Sequence, residues 1–183
     1  SGDHTSLACI PATQNSHAVL KIKDEGIIAG VELAKSVLNA VDKNHVFVQH
    51  KNDGDNVSFG EIAFEVTANT HALLKAERVI LNIMQRMSGI ATMSNRFAFE
   101  VEDLPVTILD TRKTTPLLRF LEKWAVKLGG CENYRFGLYD WIMIKDNHVE
   151  ASGGIQNAIN NVHKYLKDNN LDLNITVEVR NLV

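Results

Sequence analysis

The segment Val106-Thr-Ile-Leu-Asp-Thr-Arg-Lys-Thr-Thr-Pro116 decides how the chain is read. Its first four residues are β-branched or aliphatic and predict a strand at 106–109. Its last residue opens a helical pattern from Pro116 to Leu128. Between them stand an acid and two cations, where a purely structural connection would carry glycine, asparagine or serine. The unit then repeats. Trp141-Ile-Met-Ile144 predicts a second strand, a helix follows at about 155–167, and Ile175-Thr-Val-Glu-Val179 predicts a third strand. Strands alternating with helices imply parallel pairing and right-handed crossovers, in a doubly wound sheet or a (β/α) barrel. In both architectures ligands sit beyond the carboxyl ends of the strands. Here those ends carry Asp110-Thr-Arg-Lys113, Lys145-Asp-Asn-His148, and Glu178 with Arg180.

Upstream the pattern differs. Strands are expected at Ala18–Lys23, Val46–Val48 and Ile62–Thr67, with a short apolar piece at Ile27–Gly30. Val31, Ala34, Val37, Leu38 and Val41 have helical spacing. Lys51–Gly60 is rich in turn residues. Residues 1–70 therefore read as a compact α+β domain, and 71–183 as a second domain. The second opens with one long helical pattern, His71–Phe99. Its broad apolar face includes Leu73, Leu74, Val79, Ile80, Ile83, Met84, Met87 and Ile90, and Gly89 marks a point where it is expected to bend or break.

Composition narrows the function classes. Of 183 residues, 45% are hydrophobic and 22% charged, enough for a core and too mixed for a disordered chain. A net charge of −3 argues against nucleic acid as a bulk electrostatic partner. No apolar run reaches the roughly 20 residues that span a bilayer, and Ser1–Ser6 does not read as a signal peptide. Cys9 and Cys131 have no ligand-like spacing and read as two reduced thiols, which with the rest suggests a cytoplasmic protein.

Charge is unevenly spread. From Asp110 to Lys145 seven cations (Arg112, Lys113, Arg119, Lys123, Lys127, Arg135, Lys145) face four acids, so the segment is +3 and the remainder −6. Arg119, Lys123 and Lys127 are expected on the solvated face of helix 116–128. Arg112, Lys113 and Lys145 are expected at a shared mouth, where arginine grips carboxylate or phosphate by two bonds and lysine adds a point charge. Thr114 or Thr115 is a candidate cap for the helix, whose start would be an anion site. Gly129-Gly130 would allow a tight turn or close approach to a ligand, delivering Tyr134 and Arg135 to the next loop. These residues point to a ligand with several negative charges; an oligomer interface rich in ion pairs would use the same residues.

The set Ala76-Glu-Arg-Val-Ile-Leu-Asn82, Ser88-Gly-Ile-Ala-Thr92, Asp110-Thr-Arg-Lys-Thr-Thr-Pro116, Asn133-Tyr-Arg-Phe-Gly-Leu138 and Ile144-Lys-Asp-Asn-His148 resembles the quinolinate phosphoribosyltransferase family. Gly2-Asp-His-Thr-Ser6 and Asp53-Gly-Asp-Asn-Val57 fit the same family's first domain. The resemblance implies an α/β fold: an N-terminal α+β sandwich followed by an incomplete α/β barrel of the type II phosphoribosyltransferase kind, assembled as homodimers or higher homo-oligomers. It implies a reaction that joins quinolinate to phosphoribosyl pyrophosphate with Mg²⁺ and yields nicotinate mononucleotide, pyrophosphate and CO₂ on the route to NAD. Arg78, Arg112, Arg135 and Lys145 would hold the quinolinate carboxylates, with Arg78 reaching in from a neighbouring subunit. Lys113 would contact phosphoribosyl pyrophosphate, and Glu178 the ribose hydroxyls or the metal-bound pyrophosphate. No residue is assigned as a direct metal ligand, and Asp146, Asn147 and His148 are given support roles.

Three departures stand out. Tyr134 replaces the family's usual histidine, so it offers a phenol in place of an imidazolium. Leu117 replaces the common glycine after Thr-Thr-Pro, which reads as a packing change. The chain is also short of the family at both ends and is expected to be a portion of a longer, active protein. Two other readings compete. One is a sibling of the same superfamily, such as a nicotinate phosphoribosyltransferase or the related protein linked to molybdenum transport; an enzyme for the monoacid should need fewer cations. The other is a lipoyl-type carrier, suggested by Asp-Gly-Asp-x-Val-x-x-Gly at 53–60 but lacking a lysine in the hairpin turn.

Overall fold

The computed structural model describes residues 2–181. Its elements are α1 (His4–Cys9), β1 (Asn15–Lys21), β2 (Gly26–Ile27), α2 (Val31–Val41), β3 (Val46–Gln49), β4 (Asn56–Val57), β5 (Ile62–Asn69), α3 (Thr70–Phe99), α4 (Arg119–Leu128), β6 (Ile142–Ile144), α5 (Asp146–Ala151), α6 (Ile155–Asp168) and β7 (Ile175–Val177). They pack as two compact units, one running to Asn133 and the other starting at Tyr134.

In the first unit β5 is the centre of an antiparallel sheet of order β1-β5-β3, and β2 pairs with β4. Period-2 alternation puts Phe64, Val66 and Ala68 on one face of β5, where they join Val31, Ala34 and Leu38 of α2 and Ala76, Ile80 and Met84 of α3. On the other face Glu65 binds His17 at 3.0 Å and His50 at 2.9 Å, tying the two outer strands to the central one. The start of α2 is held from a distance. Asp53 accepts from the Gly30, Val31 and Glu32 amides at 2.6, 2.8 and 3.3 Å, which is what the Asp-Gly-Asp run at 53–55 does here.

Asn69 caps α3 by accepting from the His71 and Ala72 amides, and the helix then runs unbroken through Gly89. The expected bend is absent because one glycine costs the helix only about 1 kcal/mol while packing acts on both sides of it. The buried stripe (Ala72, Ala76, Ile80, Met84, Met87, Ala91, Ser94) is narrower than the sequence suggests, and Leu74 and Val79 are exposed. Alanines set this stripe because they let α2, β2 and α4 come close.

The strand expected at 106–109 does not form. Only a parallel bridge joins Leu109 to Glu132, with Glu132 N–H donating to Ile108 C=O at 2.9 Å and Asp110 N–H to Glu132 C=O at 3.1 Å. The partner segment offers a single residue in register before the chain turns away. In the second unit β6 and β7 are parallel neighbours, with Ile142, Met143 and Ile144 opposite Ile175, Thr176 and Val177, and α5 and α6 lie between them in sequence. This is the strand–helix–strand pattern of an α/β barrel.

Candidate active site

The segment from Asp110 to Leu118 has no regular structure, yet both of its ends are fixed. At the first end, Asp110 accepts from Lys123 Nζ at 2.5 Å, and both side chains are almost wholly enclosed. Asn133, with its amide turned to match its neighbours, donates to Asp110 Oδ2 at 2.8 Å and to the Lys123 carbonyl at 2.9 Å. At the second end, Glu122 accepts from Arg86 Nε at 2.7 Å and from the Thr115 amide at 3.1 Å, while Arg86 donates to Thr115 Oγ1 at 2.5 Å. Burial pushes the Glu122 carboxyl up, but the bonds from Arg86 and Thr115 outweigh it and hold the group below the ordinary glutamate value.

This corrects the reading of helix 116–128. The helix starts at Arg119, not Pro116, and neither threonine caps it; Thr114 Oγ1 instead accepts from Arg119 Nε at 3.2 Å. Lys123 is 2% exposed, not solvated. Lys123 faces inward because the loop supplies the Asp110 carboxylate as its partner, whereas Lys127 lies on the exposed face as expected. The inward turn was detectable in principle: Glu122 shares the helix face of Leu118, Leu121 and Ala125. Arg86 and Asn133, the other members of this network, carry no such local signal. Gly129 is corrected too. A Cβ there would stand 2.3 Å from the Ala91 carbonyl and 2.6 Å from Ser94 Cβ, so this glycine serves the α3–α4 contact. Gly130, at φ 90°, makes the turn out of α4.

Between the fixed ends lie Arg112 and Lys113. Arg112 is half-buried, and its Nε is closed off from solvent with no hydrogen-bond partner among the described residues. Lys113 is exposed; its amide donates to Thr111 Oγ1 at 3.1 Å and its side chain has no carboxylate partner among the described residues. Arg78 stands on the exposed face of α3, also without an ion pair among the described residues. Lys127, by contrast, meets Glu132 at 3.3 Å.

In the second unit Lys145 and Glu178 follow the paired ends of β6 and β7 directly, and the Glu178 amide donates to the Ile144 carbonyl at 2.9 Å. Their charged ends are 3.7 Å apart and about half exposed, a loose pair that an entering ligand can open. Asp146-Asn147-His148 begins α5, an element the sequence reading did not anticipate. His148 Nδ1 accepts from the Lys145 amide at 2.9 Å, so the histidine fixes the backbone of the lysine. Tyr134 is half-buried with its ring 5.0 Å from Trp141, and Trp141 Nε1 donates to Thr176 Oγ1 at 3.0 Å on β7. Arg135 follows it, half-buried and without an ion pair among the described residues. Cys131 is buried, and burial pushes its thiol up, which unsuits it as a nucleophile.

Comparison with known proteins identifies the family. Residues 3–88 match the family model of the N-terminal domain of quinolinate phosphoribosyl transferase, and residues 90–183 match that of its C-terminal domain. The chain is 46% identical over 181 residues to the chloroplastic nicotinate-nucleotide pyrophosphorylase [carboxylating] of Arabidopsis thaliana, covering 99% of this chain and 51% of that protein. It is 48% identical over 157 residues to a probable nicotinate-nucleotide pyrophosphorylase [carboxylating] of Bacillus subtilis, covering 86% and 54%. The crystal structure of NadC from Streptococcus pyogenes superposes with a TM-score of 0.93 at 36% identity, over 100% of this chain and 64% of that one. The chain thus spans about half the length of the curated relatives it matches. With both domain models matched in order along its whole length, the chain belongs to the quinolinate phosphoribosyl transferase family.

Proposed function

We propose that the full-length protein transfers phosphoribosyl from phosphoribosyl pyrophosphate to quinolinate with loss of CO₂, giving nicotinate mononucleotide and pyrophosphate for NAD synthesis. The observation that carries this reading is Arg112, a cation with a shielded and unpartnered Nε on a loop fixed at both ends. A buried donor left unmatched is costly, and a ligand carboxylate would satisfy it. Membership of the quinolinate phosphoribosyl transferase family supports quinolinate as that ligand.

In this reading Arg112, Arg135 and Lys145 hold the two quinolinate carboxylates, and Arg78 serves the site of a neighbouring subunit in a homodimer or higher homo-oligomer. Tyr134, fixed against Trp141, presents its phenol where the family has histidine. Lys113 binds phosphoribosyl pyrophosphate. The ring nitrogen attacks ribose C1 as the bond to pyrophosphate breaks, and Glu178 carries negative charge toward the developing oxocarbenium ion. The carboxylate beside the new bond then leaves as CO₂, its electron pair drawn by the pyridinium nitrogen, and the ring carbon takes a proton. Orienting the ring is the main work of the cations.

Mg²⁺ usually binds through one or two carboxylates together with substrate phosphates. Glu178, half exposed and only loosely paired, fits that donor set; when bound, the ion would neutralise charge on the departing pyrophosphate. Among the described residues no helix is long and apolar enough to cross a membrane. We place the protein in the cytoplasm, where two free thiols stay reduced.

The test is to supply the full-length protein with phosphoribosyl pyrophosphate, Mg²⁺ and either acid. Nicotinate mononucleotide from quinolinate is expected; product from nicotinate alone would replace this reading with the sibling enzyme.

A further inference from the structure

We propose that Arg86 and Glu122 are positioning residues which set Arg112 and Lys113 for the anionic substrates; this rests on the function proposed above. Neither residue is assigned to bind either substrate. Arg86 comes from α3, Glu122 from α4, and together they grip Thr115 through its hydroxyl and its backbone amide. The grip is two-sided. One Glu122 oxygen takes the Arg86 guanidinium and the other takes the Thr115 N–H, so moving either partner disturbs both contacts.

The location gives the clasp its function. Thr115 lies two residues beyond Lys113 and three beyond Arg112 in a segment without regular structure. The Lys123–Asp110 pair holds only the other end of that segment. Without the clasp, the loop beyond Arg112 and Lys113, which have no ion pair among the described residues, would be held only by the Thr114–Arg119 hydrogen bond and the local turn into α4. Charge fits the same role. Arg86 with Glu122, and Lys123 with Asp110, each cancel, so the anchors leave the positive charge of Arg112 and Lys113 for a ligand.

The two anchors also differ in burial. Lys123 and Asp110 are both enclosed, whereas the Arg86 side chain is 47% exposed. Losing the inner pair undermines the fold. In the clasp Glu122 is 10% exposed, so removing Arg86 costs stability as well as loop order, while removing the Thr115 hydroxyl releases the loop and leaves the Arg86–Glu122 pair in place.

The experiment uses the full-length protein, steady-state kinetics with quinolinate and phosphoribosyl pyrophosphate, and melting temperature. Arg86→Gln removes the guanidinium; Thr115→Val removes only the accepting hydroxyl and serves if Arg86→Gln folds poorly. Both are expected to lower kcat/KM by about 10- to 100-fold, through raised KM for the anionic substrates; Thr115→Val should change the melting temperature little, whereas Arg86→Gln lowers it because the buried Glu122 carboxylate loses its cation. Arg86→Lys restores the charge without the fork and is expected to recover only part of the loss. Combined with Arg112→Ala, either variant should cost far less than it does alone, because the residue it positions is gone. A folded Arg86→Gln or Thr115→Val with parental kcat/KM would overturn the proposal, as would full additivity with Arg112→Ala. Arg112→Ala with parental activity would instead overturn the substrate assignment on which it rests.

Discussion

At the residue scale, Leu117 and Lys123 show where side-chain chemistry and backbone conformation part company. Leu117 has φ 66° and is fully exposed. The glycine common in the family at this point therefore answers a left-handed backbone, and the leucine fills no packing role. That conformation costs a residue with a Cβ about 1–2 kcal/mol, and glycine's greater unfolded-state entropy offsets part of it. Leu117→Gly is thus expected to stabilise by about 0.5–1 kcal/mol, read as a shift of the urea midpoint. Lys123 gives the opposite lesson. A lysine on a helix rich in cations reads as solvated until the loop that buries it is placed, and that loop returns from outside the helix. Lys123→Ala leaves the buried Asp110 carboxylate without its cation, so a loss of about 3–5 kcal/mol in stability is expected. Arg112→Ala should leave the urea midpoint nearly unchanged while abolishing most activity; the two midpoints and two rates separate an anchor from a ligand group.

Among elements, those with strong local periodicity were legible and those made by tertiary neighbours were not. α2 and α6 follow from apolar spacing, and β5 from alternation of β-branched and aromatic residues. The strand at 106–109 failed because parallel pairing needs a partner in register, and only Glu132 provides one. α5 was hidden because its six residues carry no apolar stripe and its start depends on His148 turning back to the Lys145 amide. α4 depends on Gly129 against α3. Gly129→Ala forces a methyl onto the Ala91 carbonyl, which being backbone cannot yield, and should destabilise by about 1–3 kcal/mol in thermal or urea unfolding. The same helix carries an acid-sensitive contact. The folded Glu122 carboxyl titrates below its ordinary value, so its contribution is present above the ordinary glutamate range. It is lost as pH falls through the lower, folded value. Stability measured from pH 6 downward should therefore fall less steeply in Glu122→Gln than in the parent. A parallel fall would show that Glu122 does not contribute this limb.

For the whole molecule, the order of its motifs mattered more than any one of them. Arg112 and Lys113 on a pinned loop, with Lys145 and Glu178 at the ends of β6 and β7, point to an anionic ligand on physical grounds alone; the order of the five family motifs is what supports the proposed pair of substrates. The structure brings Lys145 and Glu178 together across β6 and β7, and leaves Arg78, Lys113 and Arg135 without carboxylate partners among the described residues. The proposed function would give these cations a dicarboxylate and a diphosphate as partners. The most direct test is to give the full-length protein quinolinate labelled in the carboxylate beside the ring nitrogen and follow the label. The account predicts labelled CO₂ only when phosphoribosyl pyrophosphate is present, in an amount equal to the nicotinate mononucleotide formed. A nucleotide product that retains the label, or CO₂ released without phosphoribosyl pyrophosphate, would contradict it.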